Sequence, residues 1–283
     1  MLAAVTLMLA AATGLQQRTD TTFAAPAGAR LELHDFSGTV HVGTWDRAEV
    51  RVRADHGSRD HIRIEVRGGV IRVQADRERG HPTDIDYEVT VPRTMGVDVD
   101  GTETDITVES VGGDLRVASV NGDITVRNAG GAVLLTSTEG DIQLDGGRGT
   151  IRVTGIEGDV GISRARGEIT VETVEGDVTL DGVESENVDI STVEGDITYR
   201  GTVRDNGSYR LTTHEGDVTL SVATPLDATV SVATFEGSFE AAPQFGLTLS
   251  PGRHGNRRSF MVGSGAARIE LESFAGAIRL ERR

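Results

Sequence analysis

The chain has no cysteine among its 283 residues. Disulfides, thiolate metal sites and a cysteine nucleophile are therefore excluded. It has no lysine either, since every one of the 28 basic residues is arginine. That excludes Schiff-base chemistry and lysine-based phosphate binding. Aromatic residues are scarce, at seven Phe, three Tyr and one Trp. A core must be built from Val, Ile and Leu, with glycine allowing close approach of thin sheets. Long apolar runs are missing beyond the first dozen residues, so no later segment could form a membrane helix. No nucleophile elbow, P-loop or dinucleotide fingerprint occurs. Paired carboxylates abound but are uninformative in a repeat, and the sequence does not read as an enzyme or call for a cofactor.

Residues 2–12 are apolar and small, and Ala10, Ala11 and Ala12 offer a cleavage site. Eleven residues are too few to span a bilayer. Residues 1–15 are expected to be an export signal. The destination is the periplasm or the cell surface.

The net charge is −16. The acid is concentrated in residues 96–240, which carry nine Arg against 28 Asp and Glu. Such a stretch repels nucleic acid and anionic membranes. It suits cations, basic partners or solubility.

What is abundant is glycine, and it is periodic. Gly recurs every nine residues at 113, 122, 131, 140, 149, 158, 167 and 176. Doubled, the period is 18, and Glu-Gly-Asp stands at 139–141, 157–159, 175–177, 194–196 and 215–217, with Glu-Gly-Ser at 236–238. A short fixed period means stacked, quasi-one-dimensional units. Each unit carries an alternating strand whose apolar pair points inward, such as Ile124 and Val126, or Leu115 and Val117 on the opposite wall. The expectation is an all-β protein, a flattened single-stranded β-solenoid with 18-residue coils of two nonapeptide units. Coils would rise about 4.8 Å each. The register slips before Asn187, Gly207 and Ala228, where insertions fall at corners.

Residues 18–95 show short alternating segments with Arg-rich outward positions, and Gly68-Gly69 reads as a hairpin turn. The expected division is an N-terminal β segment at 18–95, solenoid repeats at 96–240 and capping strands at 241–283. An uncovered final coil would be a sticky edge, hence the cap.

Two acidic rows follow from the repeat. One contains Asp123, Asp141, Asp159, Asp177 and Asp196; the other contains Glu139, Glu157, Glu175 and Glu194. Like charges at this spacing repel by about 1 kcal/mol per pair even in water. Two compensations are open. The rows could hold a divalent cation such as Ca²⁺, which takes carboxylate oxygens. Alternatively each Asp accepts backbone N–H bonds at its corner, and Glu is simply solvated. The Ca²⁺-binding nonapeptide shares the period but not the pattern. Histidines 34, 41, 56, 61, 81, 214 and 254 lack metal-ligand spacing, and His214 is expected to be half-buried.

Certain motifs carry a resemblance: FAAPAG at 23–28, LEL at 31–33, SGTV at 37–40, TWDRAEV at 44–50, the Glu-Gly-Asp repeats, and GSGAARIELESFAGAI at 263–278. In this order they resemble the bacterial β-strand-repeat family known as "putative adhesins", an exported domain of unknown function. The resemblance spans nearly the whole mature chain. It implies a β-solenoid and an envelope location, and no catalytic residues. The functional expectation is a structural or adhesive protein that binds a protein or envelope partner through its repetitive acidic face. A Ca²⁺-binding solenoid is the alternative. Self-association, an acidic stripe against another copy's arginines, is a further expectation.

Overall fold

Alternation of apolar and polar residues gives strands throughout. The computed structural model describes residues 16–77, 80, 84–223, 225–249 and 257–283. Residues 1–15, expected to be an export signal, and His81 and His254 lie outside the described residues. Those described contain no α-helix, only β-strands and a single 3-10 turn at Pro243–Phe245.

Through the middle of the chain, strands pair in parallel at an offset of 18. Val133 lies between Leu115 and Ile151, and Ile142 between Ile124 and Val160. The chain alternates between two walls, and the inward pair of each strand stacks on its equivalents. Leu115, Val117, Ile124, Val126, Ile151 and Val153 are all buried, within one core running from Ala29 to Leu280. Full burial of a Val, Leu or Ile side chain contributes roughly 1.5–3 kcal/mol. Stability therefore comes from repetition of many equal layers.

Corners absorb the irregularities. Arg166 pairs with Glu184 but Glu168 pairs with Asn187, so one extra residue bulges out at that corner. Three more are accommodated before Ser208, which pairs with Asn187. The large rings of Tyr199 and Tyr209 meet edge-on in the core at 5.9 Å. Gly201 and Gly207 make room for them, since a Cβ at either would come within 2.7 Å of a tyrosine ring or hydroxyl atom.

The two ends depart from sequence order. Strand Arg30–Trp45 lies inside the stack, in register on Gly96–Glu109 on one side. On its other side lie Val70–Arg77 and Ile85–Pro92. Antiparallel strands cover this end: Asp60–Arg67 on Val70–Arg77, Glu49–Gly57 on Ile85–Pro92, and Gln16–Ala24 on Glu49–Gly57. Gly68 and Gly69 form the tight turn between the first pair, both with positive φ. Three of the outward arginines here are paired within the chain: Arg51 with Asp20 at 2.7 Å, Arg53 with Glu88 at 2.9 Å, Arg72 with Glu32 at 2.8 Å. They are thus already partnered, which weakens them as a landing site for another copy's acidic stripe.

The far end mirrors this arrangement. Ala267–Ala275 lies between Ser208–Glu215 and Ala228–Glu236. Ile278–Arg282 lies between Val218–Val222 and Phe239–Ala241. The expected division treats 96–240 as one run of repeats and 241–283 as its cap. In the structure residues 267–282 are a full layer inserted between 208–222 and 228–241. Ile269, Leu271, Ile278 and Leu280 supply the inward pairs and Gly276 the corner. Ala275 and Ala277 replace the usual Glu and Asp, which hid the repeat. The cover is instead the antiparallel strand Arg257–Val262 on Ala228–Glu236, with Phe260 stacked on Phe239 at 5.3 Å. An antiparallel last strand breaks the parallel register and blunts growth at that edge.

Candidate functional site

The Glu-Gly-Asp corner is the most regular feature of the molecule, and its glycine is dictated by geometry. Gly158 has φ +117°, and a Cβ there would lie 2.5 Å from the carbonyl oxygen of Gly140 in the layer before. Gly176 repeats this on Gly158 at 2.3 Å, and Gly276 on Gly216 at 2.0 Å. Both the positive φ and the close approach exclude a side chain. In the coil 96–109, Thr104 stands in the glycine position. Gly101 yields space to it, and the buried Asp35 accepts its hydroxyl at 2.9 Å. Burial pushes the Asp35 carboxyl up to about 6.

The aspartates run as a hydrogen-bonded ladder. Asp105 Oδ1 accepts the backbone N–H of Asp123, Asp123 that of Asp141, Asp141 that of Asp159 and Asp159 that of Asp177, at 2.8–3.0 Å. Asp177 and Asp196 continue it to Asp196 and Asp217, both at 2.8 Å. Asp217 then accepts from Ala277 at 2.7 Å and from the Arg279 guanidinium at 2.7 Å. These bonds hold the Asp217 carboxyl below the usual range, the backbone bond contributing most. Each carboxylate thus caps an N–H at the turn of the next layer, the role Asp takes in turns. Behind the ladder, buried hydroxyls in some layers do similar work, whereas those of Ser137 and Thr173 make no hydrogen bond. Ser119 donates to the Thr104 carbonyl, Thr213 to Gly195 and Ser273 to Gly216. Sequence reading missed this row because Ser and Thr there also fit the strand alternation.

The structure brings Glu139, Glu157, Glu175 and Glu194 together as a second, exposed row. Glu139 pairs in register with Glu157, and Glu175 with Glu194. Among the described residues these side chains form no hydrogen bond or ion pair, and no group of three or more His, Asp or Glu converges as a metal cluster.

Beside the glutamates runs a line of exposed apolar residues. Val120, Ile156, Val174 and Val193 are between 42% and 47% exposed. The line ends in a stack of rings: His214 on Phe274 at 4.7 Å and Phe274 on Phe235 at 5.0 Å. His214 is exposed and packed on Phe274, in contrast to the half-buried position expected. Phe274 escaped the sequence reading because its layer is displaced in chain order. The stacked faces are occupied by one another, so the rings offer edges to a partner, with only Phe235 widely open at 63%.

Among curated proteins none matches the chain. A putative adhesin from Parabacteroides merdae aligns over 95% of this chain and 98% of its own, at 9% identity and a TM-score of 0.48. A putative adhesin from Bacteroides fragilis aligns over 93% and 96%, at 12% identity and a TM-score of 0.41. A putative cell adhesion protein from Clostridium sporogenes aligns over 95% and 100%, at 10% identity and a TM-score of 0.25. The family model Toastrack DUF4097 matches residues 29–281, from the internal N-terminal layer to the inserted C-terminal one. The chain belongs to the Toastrack DUF4097 family.

Proposed function

We propose that the protein is an exported envelope or cell-surface module, structural or adhesive and without catalysis, that binds a partner along its Glu-Gly-Asp corner. The observation that carries this reading is the division of labour at that corner. The aspartates are committed to the backbone of the next layer, whereas the glutamates and the line Val120, Ile156, Val174 and Val193 face solvent. Exposed apolar side chains set in a row, and rimmed by charge, mark interaction surfaces. The charge complement is a partner presenting basic and apolar side chains. Such contacts are steered electrostatically and weaken with salt. The apolar residues 2–12 support export, and no described helix is long and apolar enough to cross a membrane.

A second reading is a cation-stabilised repeat. It rests on the unpaired Glu139, Glu157, Glu175 and Glu194, with Asp123, Asp141, Asp159, Asp177 and Asp196 beside them. In that case Ca²⁺ would sit between layers. A pull-down from envelope fractions, with and without chelator, tests both readings. The bait is the wild type or a Glu157→Gln/Glu175→Gln/Glu194→Gln variant. Capture of a defined basic partner that the variant loses, with or without chelator, supports the first reading. Capture that requires Ca²⁺ supports the second. Equal capture by both baits sinks the acidic face as the binding element.

A further inference from the structure

Opposite the acidic corner, the chain turns back through two columns of stacked residues. In the first, Ser110, Asn128, Gly146, Arg164 and Gly182 follow one another, all with φ between +52° and +76°. In the second stand Arg93, Gly112, Gly130, Arg148, Arg166 and Glu184. Gly112 N–H donates to the Arg93 carbonyl at 2.7 Å, and Gly130 packs on the Gly112 backbone. Ala129 pairs with Gly147, which sets Arg148 one layer beyond Gly130. Arg148 then pairs with Arg166, and Arg166 with Glu184. Between Arg93 and Arg148 the column therefore has two layers without side chains, a gap of about 14 Å at the usual strand spacing. The result is a groove of about 610 Å³ lined by Arg93, Arg148, Arg164 and Arg166, with no carboxylate in its lining.

We propose that this groove is a binding site for phosphate-class oxyanions. On a chain of net charge −16, four guanidinium groups converge around a floor of glycines with Ser110 and Asn128, and Arg148 supplies the positive charge that no carboxylate offsets. Arginine forks match tetrahedral oxyanions bidentately, and glycines let an anion approach the main chain. Arg148 has no ion pair among the described residues. Arg93 and Arg166 have partners outside the groove lining, Asp46 at 3.4 Å and Glu184 at 3.2 Å, and Arg164 pairs with Asp145. All are exposed pairs of the kind that exchange readily for a better anion. Arg164 holds a left-handed backbone where the layers before and after it use Gly146 and Gly182. A side chain at such a φ is disfavoured, and in this column Ser110 and Asn128 also adopt it. At Glu184 the column changes sign and the groove ends.

The site is tested by titrating the purified full chain with sodium tripolyphosphate in a calorimeter. In parallel, the chain is floated with phosphatidylcholine vesicles containing phosphatidic acid. Arg148→Ala and Arg164→Gly are compared with Arg67→Ala, on the remote strand Asp60–Arg67. The expected result is saturable tripolyphosphate binding, weakened at least tenfold by Arg148→Ala and by Arg164→Gly. The melting temperature of Arg164→Gly should not fall, which separates lost binding from lost folding. Vesicle binding with the same dependence would assign the oxyanion to a lipid headgroup; binding in solution alone would assign it to a soluble phosphate. Absence of both, or an equal loss in Arg67→Ala, would overturn the proposal.

Discussion

The two corners of the stack share one 18-residue offset but obey different rules. At the Glu-Gly-Asp corner, geometry chooses the residues: each glycine touches the carbonyl of the layer before, and each Asp caps the N–H of the layer after. At the opposite corner the left-handed position accepts Ser110, Asn128, Gly146, Arg164 and Gly182 in turn. Repetition in a solenoid is thus a mark of structural demand. Where demand relaxes, the choice of side chain becomes informative, and there the arginines gather.

The comparison is broken most severely by adding a methyl at each corner. Gly158→Ala should cost about 3 kcal/mol or more, through backbone strain and overlap with Gly140. Gly182→Ala, with φ +64° and no atom closer than 3.9 Å, should cost only about 1 kcal/mol. Urea unfolding of the two variants checks the ratio; equal losses would mean that the corners are equivalent.

The next effect tests a layer where the acidic corner departs from glycine, with Thr104 in its place. Asp35 is raised to about 6 by burial. A carboxyl raised on folding contributes most below its unfolded value near 4, and that contribution is lost as pH rises through about 6. Asp35→Asn should therefore stabilise the protein by up to about 2 kcal/mol at pH 8 and very little at pH 4. Melting curves at the two pH values would show the difference; a destabilised variant at pH 8 would mean that the ionised carboxylate is needed for the Thr104 bond.

Smaller effects come from single rungs. Asp159→Ala should cost about 1 kcal/mol, as capping residues do, and Asp159→Asn less. Asp217 has a lowered carboxyl, so its contribution is present above its unfolded value and lost as pH falls through the folded one. Its removal should accordingly be felt at pH 7 and fade in acid. Smallest of all, Val174→Ser at the exposed line should change stability by less than about 0.5 kcal/mol while weakening partner capture.

Much of this was legible in the sequence because period and function of a residue coincide in a stack. The glycine register, the inward pairs and the hairpin at Gly68-Gly69 follow from spacing alone. The Asp ladder was open to two readings, since spacing places carboxylates in a row but does not say what their oxygens accept. The inserted layer at 267–282 was illegible because its corner is Ala275-Gly276-Ala277, without the acidic flanks that mark the others. Its mirror at 30–45 was hidden by the long excursion through 49–92 before the stack resumes. The arginine groove was illegible because Arg93 lies far in sequence from Arg148, and the layers between them place Gly112 and Gly130 in the arginine column.

The central claim is that aspartate builds the acidic corner and glutamate faces outward from it. It is tested most directly by melting two triple variants at pH 7, with and without Ca²⁺: Asp141→Ala/Asp159→Ala/Asp177→Ala and Glu139→Ala/Glu157→Ala/Glu175→Ala. The aspartate set should lose about 3 kcal/mol, from three unmade caps. The glutamate set should be unchanged or slightly more stable, because like-charge repulsion is relieved, and Ca²⁺ should shift neither. Equal losses in the two sets, or wild-type stability that rises with Ca²⁺ and depends on the glutamates, would contradict it.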